Sequence, residues 1–193
     1  MIAVLTIQTQ VPTIWAAVIL FAYTGLFLCV VITNYKATAA VQEDPIIRVQ
    51  NDLFLVNKYF DPDGKGKDGE KLKLWCSICE VYVNNLTKHC GKCNRCAADF
   101  DHHCFWLNNC VGGNNYWLFY RLIWLYVAYS LTFLFIGIYA LIERFFVTKK
   151  LLWLAIITAL QVILSLVISL YLADLIRYHR WLHANDMTTF EHI

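Results

Sequence analysis

The sequence predicts an α-helical integral membrane protein with three transmembrane helices and a cysteine-rich, metal-binding domain inserted between the first two. Two observations carry this reading: three apolar runs each exceed 20 residues, and seven of the eight cysteines fall within residues 76–110. Composition agrees, since 59% of the 193 residues are hydrophobic and the mean hydropathy is +0.50, too apolar for an ordinary soluble domain. The formal net charge of +2 gives no reason to expect a nucleic-acid partner.

A bilayer core of about 30 Å is crossed by about 20 apolar residues in a helix. The first candidate, residues 11–32, carries no charged side chain. It lacks the basic flank of a signal peptide and outruns the usual apolar region of one, so residues 1–33 read as an N-terminus and a retained span. The second candidate covers 117–142, with Arg121 one turn inside its start, and the third covers 151–176, with Asp174 near its end. Between them, 34–74 reads as a linker with a turn-rich loop at 61–69, 75–116 as the cysteine-rich domain and 143–150 as a short loop. Residues 177–193 form a tail.

Orientation follows from basic residues, which stay on the cytosolic side. Residues 34–117 hold ten of them, from Lys36 to Arg95, and the N-terminus holds none. The cysteine-rich domain and the C-terminal tail are therefore expected in the cytosol, with the N-terminus and loop 143–150 lumenal. Arg144, Lys149 and Lys150 in that loop point the other way, and the larger group decides.

A cytosolic address disfavours structural disulfides and leaves metal binding as the natural use of clustered cysteines. The spacing supports it. Cys76-x2-Cys79-x9-His89-x6-Cys96 is repeated, 14 residues on, as Cys90-x2-Cys93-x9-His103-x6-Cys110. Each set offers three thiolates and an imidazole, a combination that closes a tetrahedral structural zinc site. Two structural Zn2+ ions are expected.

That assignment leaves Cys104 over. It cannot open a third copy of the repeat, because Leu107 stands where the partner cysteine would be. If the segment is extended, side chains alternate, so His103 can face a metal while His102 and Cys104 share the opposite side. An imidazole beside a thiol generates a thiolate nucleophile at neutral pH. Asp101 is placed to orient His102, as the third member of a triad does, and a local bend is needed to bring two adjacent side chains together.

Asp101-His102-His103-Cys104, followed by Trp106, Asn109-Cys110-Val111-Gly112, Asn115 and Phe119, resembles the DHHC cysteine-rich domain of protein S-acyltransferases, the palmitoyltransferases. The resemblance is close over 75–120 and looser over the flanking spans. Thr188-Thr189-Phe190-Glu191 is similar to the family's TTxE motif, which follows the last span on the cytosolic side. The resemblance implies a protein S-acyltransferase of endoplasmic reticulum or Golgi membranes. Cys104 would take a long-chain acyl group, such as palmitoyl, from acyl-CoA. It would pass that group to cysteines of membrane-associated substrate proteins, with His102 and Asp101 assisting.

The resemblance further implies that Thr189 bonds near Asp101, that Trp106 lies close to the acyl thioester, and that Asn115, Thr188 and Glu191 belong to structural motifs. Tyr129 lies a dozen residues beyond Trp117, about 18 Å along a helix, where the floor of an acyl cavity is expected. Lys88, Lys92, Arg95 and Arg121 suit either CoA phosphates or anchoring at the cytosolic interface. Three departures stand out. Phe105 replaces the usual proline after the tetrad, Val83-Asn84-Asn85-Leu86 replaces a basic-Pro-x-Arg stretch, and three spans appear where the family usually has four. A first helix absent from this chain and a true three-span variant both fit the last. The departures favour an alternative, a zinc-stabilised membrane adaptor of the same fold with impaired chemistry. The intact tetrad and TTxE motif oppose it. A metal transporter would need ligands inside the spans, and only Cys29, Arg121 and Asp174 are available.

Overall fold

The computed structural model describes residues 13–45, 47, 74–148 and 152–193. Loop 61–69 and most of the linker lie outside the described residues. Helix α1 spans Thr13–Ala39 and is followed by six short strands: β1 Leu74–Cys76, β2 Val81–Val83, β3 Lys88–Cys90, β4 Arg95–Ala97, β5 His102–Cys104 and β6 Asn109–Val111. Helix α2 then covers Tyr116–Ile142 and continues as a π-helical turn, Glu143–Thr148, through residues read from sequence as loop. Helix α3 covers Leu152–Ala184, and a last short helix, α4, covers Thr189–His192. Three of these helices, over Ala17–Ala39, Tyr116–Phe145 and Leu152–Ala184, are long and apolar enough to cross a bilayer. The chain is a multi-pass membrane protein with its cysteine-rich domain between the first and second such helices.

Two compact units form. One holds Met1–Asn34 with Tyr120–Trp181, the other Tyr35–Phe119 with Leu182–Ile193. In the helical unit, two polar bonds link helices, as an apolar solvent favours. Ser130 and Ser169 share a 3.0 Å hydrogen bond, and Gln161 Nε2 donates to the Phe133 carbonyl at 2.9 Å. Gly137 permits that approach, because a Cβ there would collide with Gln161 and Val162. Asp174, the one acid in the third apolar run, accepts from Arg177 one turn on, at 2.6 Å.

The cysteine-rich unit is three copies of one hairpin. β1–β2, β3–β4 and β5–β6 are antiparallel pairs in the same register, so that Trp75↔Tyr82, His89↔Cys96 and His103↔Cys110 occupy one position. Each four-residue turn ends in the left-handed region, at Glu80, Asn94 and Asn108, with φ of 54°, 50° and 46°. Asparagine tolerates that region better than most residues. Little apolar matter holds the copies together: one buried cluster joins Ile47, Val81, Val83 and Cys96, and another joins Cys90, Ala97 and Cys110.

Side chains from the third hairpin tie down the end of α1, whose last carbonyls have no partner within the helix. Asn109 Nδ2 donates to the carbonyls of Thr38 and Ala40 at 2.9 Å, and Asn115 Nδ2 to that of Ala37 at 3.1 Å. Gly112 must be glycine, because a Cβ would sit 2.5 Å from the Ala98 carbonyl oxygen. At the other end of the unit, α3 closes in a Schellman motif: Asp186 is left-handed (φ 51°), and Met187 and Asp186 donate to the carbonyls of Leu182 and His183. The chain turns there and delivers residues 188–193 against the hairpins.

Asn109→Ala strips buried carbonyls of their donor and should cost about 1–3 kcal/mol. A thermal melt of the metal-loaded protein in detergent should fall by several degrees. Asn114→Ala, which removes only an exposed bond to the Val41 carbonyl, should barely move it. Equal melts for both variants would contradict the capping role.

Candidate active site and metal centres

The hairpin register explains how eight ligands assemble. In the first two hairpins the first strand ends in a cysteine, and a second cysteine follows three residues later within the turn. The Cys79 amide bonds to Cys76 Sγ at 3.4 Å. The next hairpin supplies a cross-strand His–Cys pair. Cys76 and Cys79 thus meet His89 and Cys96, while Cys90 and Cys93 meet His103 and Cys110.

Within each set, all four donor atoms lie within 4.8 Å of one another. Zinc–sulfur bonds of about 2.3 Å and zinc–nitrogen bonds of about 2.0 Å give tetrahedral edges of about 3.5–3.8 Å. The first set measures 3.3 to 3.9 Å from His89 Nδ1 to its three sulfurs and 3.7 Å between Cys79 and Cys96. The second measures 3.3 to 4.0 Å from His103 Nδ1 and 3.4 Å between Cys93 and Cys110. Both clusters fit zinc, each through Nδ1, and neither leaves a coordination position to spare.

Cys104 belongs to neither cluster. It is the residue that ends β5 and is buried, whereas the next two residues, Phe105 and Trp106, are 84% and 80% exposed. Strand alternation points His103 at its cluster and leaves His102 with Cys104, which hydrogen-bond to each other. Asp101 precedes the strand, its amide donating to the Val111 carbonyl, and its Oδ2 accepts from His102 Nδ1 at 2.6 Å. With Nδ1 committed, the contact with Cys104 falls to Nε2. Phe119 packs edge-on against the imidazole, with centroids 5.2 Å apart.

Asp101 is held in turn by the C-terminal segment. Thr189 donates to it twice, from its amide to Oδ1 and its hydroxyl to Oδ2, each at 2.8 Å. Thr188 and Glu191 do not touch the site. They form a capping box, in which the Thr188 amide donates to Glu191 Oε2 at 2.8 Å and the Glu191 amide donates to Thr188 Oγ1 at 3.2 Å. That box starts α4 and so aims Thr189.

The electrostatics follow from these bonds. Burial works against ionisation of Asp101, but donors from His102 and Thr189 outweigh it and hold the carboxyl below the usual range. Burial also works against a charged His102, yet Asp101 and Cys104 overcome it and push the imidazole up to about 9. For Cys104, burial raises the thiol, while His102 and the amides of Leu107 and Trp106 more than reverse this and lower it. The three shifts all favour the charged forms: carboxylate, imidazolium and thiolate.

The family described as DHHC palmitoyltransferase matches residues 69–193. The chain belongs to this family. Palmitoyltransferase ZDHHC8 of Mus musculus is 31% identical over 101 residues, covering 51% of this chain and 13% of the relative. The Arabidopsis thaliana protein named probable protein S-acyltransferase 20 is 33% identical over 140 residues, 62% of this chain and 19% of the relative. The Homo sapiens protein named probable palmitoyltransferase ZDHHC11B is 29% identical over 212 residues, 94% of this chain and 56% of the relative. This chain therefore spans between 13% and 56% of the length of these relatives.

Other residues singled out from sequence fall in different places. Trp106 is on the turn beside Cys104. Asn115 bonds Gly112, the Cys110 carbonyl and the end of α1. Tyr129 stacks on Tyr23 of α1 at 4.8 Å in the helical unit. Lys88 lies over the Phe190 ring, 5.5 Å from its centroid. Sequence reasoning missed the turn amides at Cys104 and the helix-capping role of Asn109. The matched turn lengths in the three hairpins were the available signal for the former.

Two results should follow. Folded wild type should carry two zinc ions per chain, lost with the fold in Cys96→Ser and both kept in Cys104→Ser, because closed zinc sites contribute directly to folding. In a Cys29→Ser background, alkylation of Cys104 by iodoacetamide should rise less steeply with pH than that of an ordinary thiol, since His102 and the turn amides lower its thiol. His102→Ala should instead show a rate rising with pH toward an ordinary thiol near 8.5. Identical pH profiles would refute the ion pair.

Proposed function

We propose that this chain is a protein S-acyltransferase that uses Cys104 as its nucleophile and acyl-CoA as its donor. The hydrogen-bonded series Thr189–Asp101–His102–Cys104, lying outside both ligand sets, is the observation that carries the reading. The two clusters would hold structural zinc and take no part in the chemistry. Their role is to fix the hairpins from which Cys104 and His102 project.

In the first step the Cys104 thiolate attacks the carbonyl carbon of the acyl-CoA thioester. The carbon–sulfur bond to CoA breaks, and the departing sulfur takes the proton from His102 Nε2. In the second step neutral His102 removes the proton of a substrate cysteine thiol, whose sulfur attacks the same carbonyl carbon and releases Cys104 as thiolate. Thioester and thiol are exchanged at each step, so little driving force is required. What the protein must supply is a good nucleophile and its placement. Asp101 stays ionised throughout and keeps the imidazole oriented.

The exposed Phe105–Trp106 turn would lie against the acyl chain. The positive-inside count supports a cytosolic face for the cysteine-rich domain, and the family resemblance favours endoplasmic reticulum or Golgi membranes. Substrates would be membrane-associated proteins with cysteines on that face.

Incubation with clickable palmitoyl-CoA should label wild type through a hydroxylamine-sensitive bond and leave Cys104→Ser unlabelled. His102→Ala should lose most of the labelling rate, of the order of 10²-fold or more for loss of a positioned acid–base group. A folded, metal-loaded wild type that takes no label would favour the adaptor reading. A Cys104→Ser variant that labels as wild type would remove Cys104 from the mechanism.

A further inference from the structure

The third hairpin repeats the first two position by position. Cys104 occupies the place of Cys76 and Cys90, at the end of the first strand and opposite Asn109, as they stand opposite Val81 and Arg95. Asn108 repeats the left-handed turn residue of Glu80 and Asn94. The sulfur of each first cysteine also receives the same two backbone amides: Ile78 and Cys79 at Cys76, Lys92 and Cys93 at Cys90, Trp106 and Leu107 at Cys104. In the first two hairpins that amide pair serves a sulfur that belongs to a metal-ligand set. Within the turn the third copy differs at one ligand position, where Leu107, 3% exposed, stands in for Cys79 and Cys93, and among the described residues no further hairpin follows to add a His–Cys pair.

We propose that the third hairpin is a zinc-binding turn disarmed by Leu107, so that its amides hold the Cys104 sulfur as they would a metal-bound thiolate while no metal competes for it. Leu107 is thus a positioning residue that keeps the nucleophile free. Two sulfurs in that turn would be joined by the His102 imidazole, already bonded to Cys104, making three ligands and one open position, as in catalytic zinc sites. A metal there would tie up the electron pair with which Cys104 attacks. The functional meaning rests on Cys104 being the acyl acceptor, but the metal-binding claim does not.

The test is the metal content of the full chain bearing Leu107→Cys. Wild type and Leu107→Ser should bind two zinc ions per chain, and Leu107→Cys should bind three. With cobalt(II) in place of zinc, Leu107→Cys should add intensity to the thiolate-to-metal charge-transfer band. Cys104 in that variant should resist iodoacetamide, and a chelator that strips only the weakest site should restore its alkylation to the Leu107→Ser rate. Leu107→His, which offers an imidazole at the same point, should behave likewise, so a misfolded cysteine variant does not end the test. Two zinc ions and wild-type alkylation in both ligand-bearing variants would overturn the proposal. So would equal loss of alkylation in Leu107→Ser, which would assign the effect to packing. Failure of wild type to take up acyl groups would sink the acyltransferase reading alone, because zinc counting needs no turnover.

Discussion

The cysteine-rich unit depends on one constraint: strands of three residues cannot hold themselves together. An isolated hairpin is marginal at best in water, and the buried apolar clusters here consist partly of the cysteines themselves. Each hairpin is joined to the next by a Cys3His set, two ligands from a turn and two from a cross-strand pair. Since the hairpins share one register, a ligand set closed between the first and second also fixes the geometry repeated between the second and third. The site that carries Cys104 is the far end of that series. Its placement is inherited from metal ligands it does not share.

A second dependence runs through Asp101. Its carboxylate joins three parts of the sequence: the segment before β5, the imidazole of His102, and Thr189 from 88 positions later. Burial alone would raise this carboxyl, and the donors around it more than reverse that. The capping box of Thr188 and Glu191, and the Schellman turn before it, are the local devices that bring the Thr189 donors into place. A threonine-threonine-x-glutamate motif therefore divides its labour. Two residues build a helix start and one binds the Asp101 carboxylate.

Much of this was legible in the sequence, for identifiable reasons. Ligand spacing is set by a turn of fixed length and a strand pair of fixed register, so Cys76 to Cys110 announce themselves by interval. The helices long enough for a bilayer show as runs of apolar residues, although α3 continues to Ala184, well past the end of its apolar run. The pairing of His102 with Cys104 followed from strand alternation. Partners distant in sequence were harder. Nothing near Asn109 indicates that it caps α1 some 70 residues earlier, and nothing near Tyr129 names Tyr23 as its stacking partner. Such contacts depend on tertiary placement, which no local pattern records.

The central claim is that acyl transfer proceeds at a thiol kept apart from two closed metal sites. Native mass spectrometry of the zinc-loaded protein, before and after one turnover with palmitoyl-CoA, tests it most directly. The account predicts two zinc ions in both spectra, with a single acyl group added on a peptide containing Cys104. An acyl group on any of the eight cluster residues, or loss of zinc on acylation, would contradict it.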